Sequence, residues 1–314
     1  MYKIKTIPED FIVEEIFTPP HKEGEYIYVV LEKNDQETLS TIEALARQLG
    51  IRANAIGYAG IKDKRAVTHQ YISIRGVAEE KLAQHGFKIV GRGAQGMSLG
   101  DHDGNKFSIT VRNLDERDLQ RLEKNLATVK NKKYCFVNYF GEQRFGSHNL
   151  EIGIALLQRD FKQACILLRD ERIVRHLETH PRDYVGALAK IPRKKLMLFI
   201  HAVQSKLWNV MAERVAEERI PIPGYMVECT HIQMREIIEQ FLADLGLTVR
   251  SFALREIPNL FTGGGERARI VCATDFKNSR VSSDDLHPGK KKMLFSFILP
   301  KAAYATVCIK SLFS

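Results

Sequence analysis

The stretch Gly57–Gln70, which reads G-Y-A-G-I-K-D-K-R-A-V-T-H-Q, constrains this chain more than any other part of its sequence. Its two glycines permit a tight turn or a close approach of the backbone to a neighbour. A single carboxylate, Asp63, follows them inside a cationic cluster. Residues 70–74 (Q-Y-I-S-I) then alternate with a period of two, which predicts a strand. Asp63 is therefore expected in a loop that enters a β-sheet.

Two interpretations of Asp63 are open at this point. An aspartate beside cations is ionised at neutral pH, and it can act as a nucleophile or a general base. Its neighbours Lys62, Lys64 and Arg65 would also attract a phosphate group. A solvated charged turn is the commoner explanation of such a cluster. The local pattern alone does not decide between a site and a turn.

Composition and charge indicate a globular protein with a preference for polyanions. The chain has 314 residues, which is long enough for two domains. Hydrophobic residues make up 44% and charged residues 27%, as is ordinary for a globular protein. Its formal net charge is +9. This excess favours a nucleic-acid partner, although a merely basic protein would also carry it.

The cysteines and the apolar runs point to a cytoplasmic protein that needs no metal. The five cysteines are scattered, with no C-x-x-C and no histidine at metal-ligand spacing. We therefore expect reduced, mostly buried thiols and no metal or other cofactor. The sequence has neither a signal-peptide core at its start nor an apolar run of membrane-spanning length, so we expect no membrane association.

A second motif, Asn138–Gly146, reads N-Y-F-G-E-Q-R-F-G. It sets two aromatic residues beside an amide. Flipped or single-stranded bases are held by stacking on aromatic rings and by hydrogen bonds to their edges. A pair of core aromatics with an ion pair between Glu142 and Arg144 explains the motif equally well.

Periodicity predicts an alternation of strands and helices, and therefore an α+β sheet domain. Gly104–Asn105 is predicted to be a turn before the alternating strand that starts at Phe107. Trp208 is expected in the core. The other predicted elements are a strand buried on both faces at Glu25–Glu32, helices at Thr38–Leu49, Leu114–Thr128, Leu150–Ile173 and Leu188–Ile220, and strands at Met293–Leu299 and Ala303–Leu312.

Several stretches resemble the TruD family of RNA pseudouridine synthases. Gly57–Gln70 is similar to that family's signature F/Y-A-G-x-K-D-K/R-x-A-V-T-x-Q, without a gap. Asn138–Gly146 resembles its N-Y-F-G-x-Q-R-F-G nearly residue for residue. The run K-x-x-P-E-D-F, which starts at Lys5, resembles its N-terminal motif. Ala302-Ala303 departs from the family, which usually has a glycine in that turn.

The resemblance assigns roles to residues of this chain. It implies that Asp63 is the catalytic carboxylate, that Lys5 lies in the active site, and that Phe140 stacks on the target uracil. Asn138 would help to shape the pocket. The residues expected to contact substrate or RNA are Lys5, Lys62, Lys64, Asn138, Phe140 and Arg267, the last from a segment that resembles the family's G-x-x-R-x-A/P.

The resemblance also implies a fold. It is α+β, with a catalytic pseudouridine-synthase domain whose mixed, largely antiparallel sheet is flanked by helices. A mostly helical α+β domain, the TRUD domain, would be inserted at residues 151–259. The catalytic domain would then be discontinuous, at residues 1–150 and 260–314, with its last strands completing the sheet begun by the first half.

The activity implied by the resemblance is isomerisation of uridine in tRNA, with uridine 13 as the target. It needs no cofactor or metal, and no protein partner is implied. One alternative is a catalytically silent RNA-binding or RNA-folding protein on the same scaffold. Another is a basic DNA-binding protein, although the sequence has no helix-turn-helix or zinc-finger signature.

Overall fold

A computed structural model describes residues 1–227, 229–257 and 260–314 of the chain. They form two compact units, residues 1–135 with 272–314 and residues 136–271. The domain limits expected from the sequence lie instead after residue 150 and before residue 260. Asn259, the last residue of the expected inserted domain, lies outside the described residues. The functional domain limits therefore stay a prediction.

Fourteen strands and ten α-helices were assigned among the described residues. The strands are β1 (Phe11–Ile16), β2 (Tyr26–Asn34), β3 (Ile56–Tyr58), β4 (Val67–Arg75), β5 (Ile89–Gly93), β6 (Gly104–Leu114), β7 (Tyr134–Val137), β8 (Arg219–Ile222), β9 (Ala253–Leu254), β10 (Leu260–Phe261), β11 (Gly265–Ala268), β12 (Ile270–Asn278), β13 (Ser282–Ser283) and β14 (Lys291–Pro300). The helices are α1 (Thr38–Leu49), α2 (Glu79–Gln84), α3 (Glu116–Leu126), α4 (Asn149–Leu157), α5 (Phe161–Leu168), α6 (Glu171–Thr179), α7 (Tyr184–Ala189), α8 (Arg193–Arg214), α9 (Ile232–Asp244) and α10 (Ala305–Leu312).

The large sheet has the strand order β5-β2-β4-β1-β6-β14-β12-β7, with β3 paired to β4 and β13 to β14. The pairs of β1 with β6, β2 with β4 and β6 with β14 are antiparallel, whereas β1 and β4 are parallel. The predicted mixed, largely antiparallel sheet is confirmed. The late strand β14 pairs with the early strand β6, so the end of the chain completes the sheet as expected.

The parallel pair decides where the first motif lies. Ile12 of β1 is paired with Val67 of β4. Because parallel strands begin at the same edge of a sheet, the residues that precede β1 meet those that precede β4. These are the segment that contains Lys5 and the loop that contains Asp63.

The predicted helix at Thr38–Leu49 is α1, and Gly50 ends it in a left-handed conformation with φ 70°. Its apolar face packs on β2 and β4, whose β-branched residues suit a pleated, buried surface. The buried side chains of this core are Ile27, Val29, Leu31, Ile42, Leu45, Ala46, Leu49, Ile56, Ile72, Ile74 and Leu82.

The second unit is mostly helical. The long helix α8 packs against α4, and it is buried over much of its circumference because apolar residues occur all round it. Two short antiparallel pairs, β8 with β11 and β9 with β10, complete the unit. The Trp208 side chain is fully buried, as predicted, and its Nε1 donates to the Ile220 carbonyl oxygen at 3.2 Å. Within the described part of the chain, no helix has the length and apolar character needed to cross a bilayer.

The strand predicted at Ala303–Leu312 is wrong, because the structure has the helix α10 at Ala305–Leu312. Its buried residues Ala305, Cys308, Ile309 and Leu312 follow helical spacing. Asn125 of α3 donates to the Leu312 carbonyl oxygen at 2.9 Å, which satisfies an acceptor at the helix end. Ala302 adopts φ 67°, so the turn keeps a glycine-like conformation without a glycine.

The expectation of five reduced thiols is wrong for one pair. Cys135 of β7 and Cys272 of β12 form a disulfide. They lie on neighbouring strands, although 137 residues separate them in sequence. Cys165 and Cys308 are buried free thiols, as predicted, and burial raises the pKa of Cys165 to about 11.

The turn predicted at Gly104–Asn105 is also wrong. Both residues belong to β6, where Asn105 is opposite Glu15 of β1 and Leu299 of β14. The residues are polar or small, as in many turns, but the strand pairs on both sides hold them extended. The Asn105 side chain extends from the sheet toward the loop that contains Asp63, where it contacts Lys62.

Candidate active site

Lys5 and Asp63 form an ion pair at the sheet edge where β1 and β4 begin. The Lys5 Nζ donates to the Asp63 Oδ2 at 2.7 Å, and about a fifth of each side chain is exposed (19% and 20%). Lys5 has φ 56°, a left-handed conformation that costs a residue with a side chain of order 1–3 kcal/mol. Its ammonium group also lies 4.1 Å from the centroid of the Phe11 ring. The pair is thus held at the surface, where a substrate could reach the carboxylate.

Lys33 is a residue of this site that the sequence reasoning missed. Its Nζ donates to the backbone oxygen of Asp63 at 2.5 Å, and only 2% of Lys33 is exposed. Burial lowers the pKa of Lys33, while the Asp63 charge acts in the opposite direction. A signal was present, because Lys33 continues the inward series Ile27, Val29 and Leu31 along β2. A lysine at an inward position of a strand indicates a buried polar partner.

The Lys62 side chain is buried beneath the loop, where it contacts neighbouring polar groups and not the solvent. Its Nζ lies 2.5 Å from the Glu15 Oε1 and donates to the Asn105 Oδ1 at 2.8 Å. The Lys62 side chain is 7% exposed and that of Glu15 is fully buried. The backbone of Lys62 is held as well, since its amide donates to the Thr38 Oγ1 at 3.1 Å. Lys64, in contrast, is exposed.

Replacement of Lys62 by Met is expected to destabilise the protein by about 3–5 kcal/mol, because it leaves Glu15 as a buried charge without its ammonium partner. The free energy of unfolding from urea denaturation measures this loss. Lys64→Met is the matched control, since Lys64 is exposed on the same loop, and it should change stability by less than about 0.5 kcal/mol. Equal stability of the two variants would contradict the structural role of Lys62.

Two further contacts fix the Asp63 loop. A Cβ atom added to Gly57 would lie 2.4 Å from the Met97 carbonyl oxygen, so the backbone approaches its neighbour too closely for a side chain. At the other end, the Arg65 Nη2 donates to the Thr6 carbonyl oxygen at 2.6 Å. This bond joins the loop to the residue that follows Lys5.

Phe140 is at the centre of a second cluster, which belongs to the second unit. Only 8% of Phe140 is exposed. The Arg267 guanidinium carbon lies 4.2 Å from the ring centroid, a cation–π distance. The Trp208 ring meets Phe140 edge to face, with 5.5 Å between centroids. The side chain of Phe140 is therefore packed on several sides.

Asn138 and Asn209 hold the backbone of this cluster. Arg267 donates from Nε to the Asn138 carbonyl oxygen at 2.9 Å and from Nη2 to the Asn138 Oδ1 at 2.6 Å. Asn209 brackets Phe140, accepting from its amide at 2.9 Å and donating to its carbonyl oxygen at 3.0 Å. Asn209, which directly follows Trp208 in α8, was not among the predicted site residues. Its contacts join residues that are 69 positions apart, which the local sequence does not signal.

Of the three glycines at 263–265, Gly264 is the one that the packing of the backbone requires. A Cβ atom on Gly264 would lie 2.4 Å from the Ile222 carbonyl oxygen, and Gly264 has φ 85°. The run thus lets β11 begin beside the chain that leaves β8. Among the residues that the structure describes, no three His, Cys, Asp or Glu side chains are grouped as metal ligands would be.

The seven predicted site residues fall into two clusters, one in each unit. The first unit brings together Lys5, Asp63 and the loop residues Lys62 and Lys64. The second unit brings together Asn138, Phe140 and Arg267. The first cluster offers an ammonium group beside a carboxylate, which suits nucleophilic or acid–base chemistry. The second offers an aromatic ring fixed by amides and a guanidinium group.

Comparison with known proteins identifies relatives along the whole chain. A family model described as "tRNA pseudouridine synthase D (TruD)" matches residues 2–171, 167–222 and 211–312. The "Probable tRNA pseudouridine synthase D" of Thermococcus sibiricus is 27% identical over 407 aligned residues, covering 99% of this chain and 94% of the relative. The "tRNA pseudouridine synthase D" of Aquifex aeolicus is 28% identical, covering 99% of this chain and 98% of the relative.

The fold agrees with a solved structure from the same group of proteins. A crystal structure described as the "Putative tRNA pseudouridine synthase D (TruD)" from Methanosarcina mazei superposes with a TM-score of 0.75 at 25% sequence identity. The match covers 99% of this chain and 93% of that one. Since the family model also spans almost the whole sequence, the chain belongs to the tRNA pseudouridine synthase D (TruD) family.

Proposed function

We propose that this protein isomerises uridine to pseudouridine in tRNA, at uridine 13, in the cytoplasm. The observation that carries the proposal is the Lys5–Asp63 ion pair, because both residues occupy positions of the motifs that resemble the family's. The names of the relatives support a tRNA substrate. The basic character of the chain, with a net charge of +9, also suits a polyanion.

The proposed reaction conserves every atom of the nucleotide. The bond between C1′ and N1 breaks, the uracil rotates, and a bond forms between C1′ and C5. The proton lost from C5 is balanced by the one gained at N1. Asp63 acts on the flipped nucleotide either by attacking C1′ or by removing a ribose proton, and both roles need an ionised carboxylate at a fixed position. Lys5 orients this carboxylate and balances its charge.

The second cluster is proposed to receive the flipped base. Leaving the stack costs the uridine a few kcal/mol. Stacking on Phe140 would offset part of this cost, since base–aromatic stacking is worth about 1–3 kcal/mol. Arg267 already covers the ring at 4.2 Å, so the uracil would use another part of its surface. Asn138 and Arg267 would hold the ring in place, while Lys64 would contact the phosphate backbone.

The domain assignment is part of the same proposal. Residues 1–150 and 260–314 would form the catalytic domain, and residues 151–259 the inserted domain. The position of Asp63 and Lys5 in the sheet-containing unit supports the first assignment.

A tRNA transcript without modifications tests the proposed activity. The protein is incubated with the transcript, and pseudouridine is mapped by carbodiimide adduct formation and primer extension. We expect one new stop, on the 3′ side of an adduct at position 13, and none in a transcript with cytidine at that position. Tight binding of the transcript without any new stop would favour the silent RNA-binding protein.

The affinity for tRNA is expected to fall steeply with salt. A basic protein that neutralises several phosphates releases condensed counterions, and 6–10 phosphate contacts cost about 10³–10⁵ in affinity between roughly 50 and 200 mM salt. Filter binding over this range measures the slope. A Kd that changes by less than about threefold would show that phosphate contacts do not dominate the interface.

A further inference from the structure

The conformation of Lys5 needs an explanation from its surroundings. A left-handed lysine, with φ 56°, persists only where neighbouring contacts determine the backbone on both sides. We define residues 3–10 as the N-terminal segment. It precedes β1, and its 3-10 helix at Pro8–Asp10 follows directly after Ile7.

Arg112 holds both ends of this segment, one through its backbone and the other through its side chain. Arg112, on β6, exchanges two backbone hydrogen bonds with Lys3, each of 2.8 Å. Its side-chain Nε donates to the Asp10 Oδ1 at 2.8 Å and to Oδ2 at 2.9 Å. Asp10 in turn accepts from the Ile7 amide at 3.2 Å. Lys5 therefore lies between two anchors that belong to a single residue.

Arg112 is itself fixed in the interior. Only 5% of it is exposed, and its Nη1 donates to the Asp284 Oδ1 at 2.9 Å and to the Asp285 Oδ1 at 2.8 Å. Burial would lower the pKa of Arg112, but its hydrogen bonds to three carboxylates outweigh burial and raise it. Burial opposes ionisation of Asp284 as well, yet amide hydrogen bonds from Asn113 and Leu286 lower its pKa to about 2. These charge-assisted hydrogen bonds hold the Arg112 side chain in one place.

The middle of the segment is joined to the catalytic loop. The Thr6 carbonyl oxygen accepts from Arg65, two residues after Asp63. With its ends held by Arg112 and its middle by Arg65, the segment has little freedom to move the Lys5 backbone. The Lys5 side chain therefore starts from a fixed backbone position, from which its ammonium group meets Asp63 at 2.7 Å.

We infer that Arg112 is a positioning residue of the proposed reaction, which acts through Asp10 and the N-terminal segment to place the Lys5 ammonium group on Asp63. Arg112 would act on Asp63 through its partners, since its side chain donates to Asp10, Asp284 and Asp285. The inference rests on the proposed function, because it assumes that the Lys5–Asp63 pair performs the chemistry. It adds Arg112 and Asp10 to the residues on which the rate depends.

Asp10→Asn is the sharpest test, because it keeps the size of the side chain and leaves Arg112 paired with Asp284 and Asp285. A displacement of about 1 Å costs on the order of 10²-fold in rate, so we expect a 10- to 100-fold lower single-turnover rate constant. The Kd for tRNA should change by less than about threefold, since the segment positions a reacting group and few phosphates. Arg112→Lys keeps the charge but loses the planar guanidinium group with its several donors. It should likewise lower the rate constant and leave the Kd for tRNA nearly unchanged.

A double-mutant cycle with Lys5→Ala separates positioning from general destabilisation. Single-turnover rates are followed over days, at a temperature where circular dichroism shows each variant folded. If Asp10 acts through Lys5, Asp10→Asn should lower the rate less than about threefold when Lys5 is already absent. Leu122→Ala, in the buried face of α3, is the control for lost stability and should leave the rate unchanged in both backgrounds.

The outcomes are distinguishable. Equal losses from Asp10→Asn in the two backgrounds, or no loss in either, would overturn the inference and leave the proposed function intact. A Lys5→Ala variant as active as wild type would overturn the inference and the role of Lys5, but it would leave the proposed isomerisation intact. A wild-type protein that forms no pseudouridine would overturn the proposed function, and the inference with it. A rate loss in Leu122→Ala equal to that in Asp10→Asn would also overturn the inference.

Discussion

Asp63→Asn is expected to abolish isomerisation while the fold and the affinity for tRNA are preserved. Asparagine has nearly the same shape as aspartate but neither the charge nor the basicity that the reaction needs. The Lys33 bond to the Asp63 backbone does not involve the side chain and should survive. Acid–base catalysis contributes about 10²–10⁴ in rate, so a loss of at least about 10²-fold is expected in single-turnover assays.

The control for this substitution is Asp35→Asn in the same unit. Asp35 is exposed and has φ 52°, a conformation that asparagine tolerates well. The single-turnover rate of the Asp35→Asn variant should equal that of wild type within about twofold, because a surface substitution away from a site has little effect. Activity of Asp63→Asn within about tenfold of wild type would remove the carboxylate from the mechanism.

Phe140→Ala is expected to affect both stability and rate. Truncation of a buried phenylalanine costs about 3–5 kcal/mol of the free energy of unfolding, and Phe140 is 8% exposed. If uracil also stacks on its ring, the rate of the folded protein should fall by a further one to two decades, the equivalent of about 1–3 kcal/mol. The affinity for the tRNA body, which many phosphate contacts hold, should change little.

A second buried ring separates these two effects. Phe252 is fully buried in the same unit, outside the predicted site, so Phe252→Ala should lose comparable stability without a loss of rate in the folded protein. Phe140→Tyr, which keeps the stacking surface, should recover much of the rate. If Phe140→Ala and Phe252→Ala turn over equally fast when folded, Phe140 is a core residue and the stacking role is wrong.

The first motif was largely predictable, because its signals are local. Glycines, a charged run and an alternating strand predict that Asp63 lies in a loop before β4, and this is where the structure places it. The parallel pairing of β1 with β4, which brings Lys5 to Asp63, depends on a pairing between distant strands that periodicity does not encode. Lys5 was assigned to the active site through the resemblance to a family. Composition and periodicity alone did not distinguish it from other surface lysines.

Other features were missed because long-range contacts decide them. The alternation of residues 303–312 suits a strand, but contact with α3 selects the helix α10. From its local sequence Lys62 is expected to be an exposed cation. The structure buries it instead, because Glu15 of the distant strand β1 lies beside it. The disulfide joins cysteines 137 residues apart, which spacing could not reveal. Arg112 similarly gains its partners only when the two ends of the chain meet on β6.

The other proposals depend on the formation of pseudouridine in tRNA by Asp63. The most direct test is a pseudouridine map of total RNA from cells that lack the protein, complemented with the wild type or with Asp63→Asn. We expect a new signal at position 13 of tRNA with the wild type and no such signal with the variant. Identical maps from the two complemented strains, with both proteins present at equal levels, would contradict this expectation.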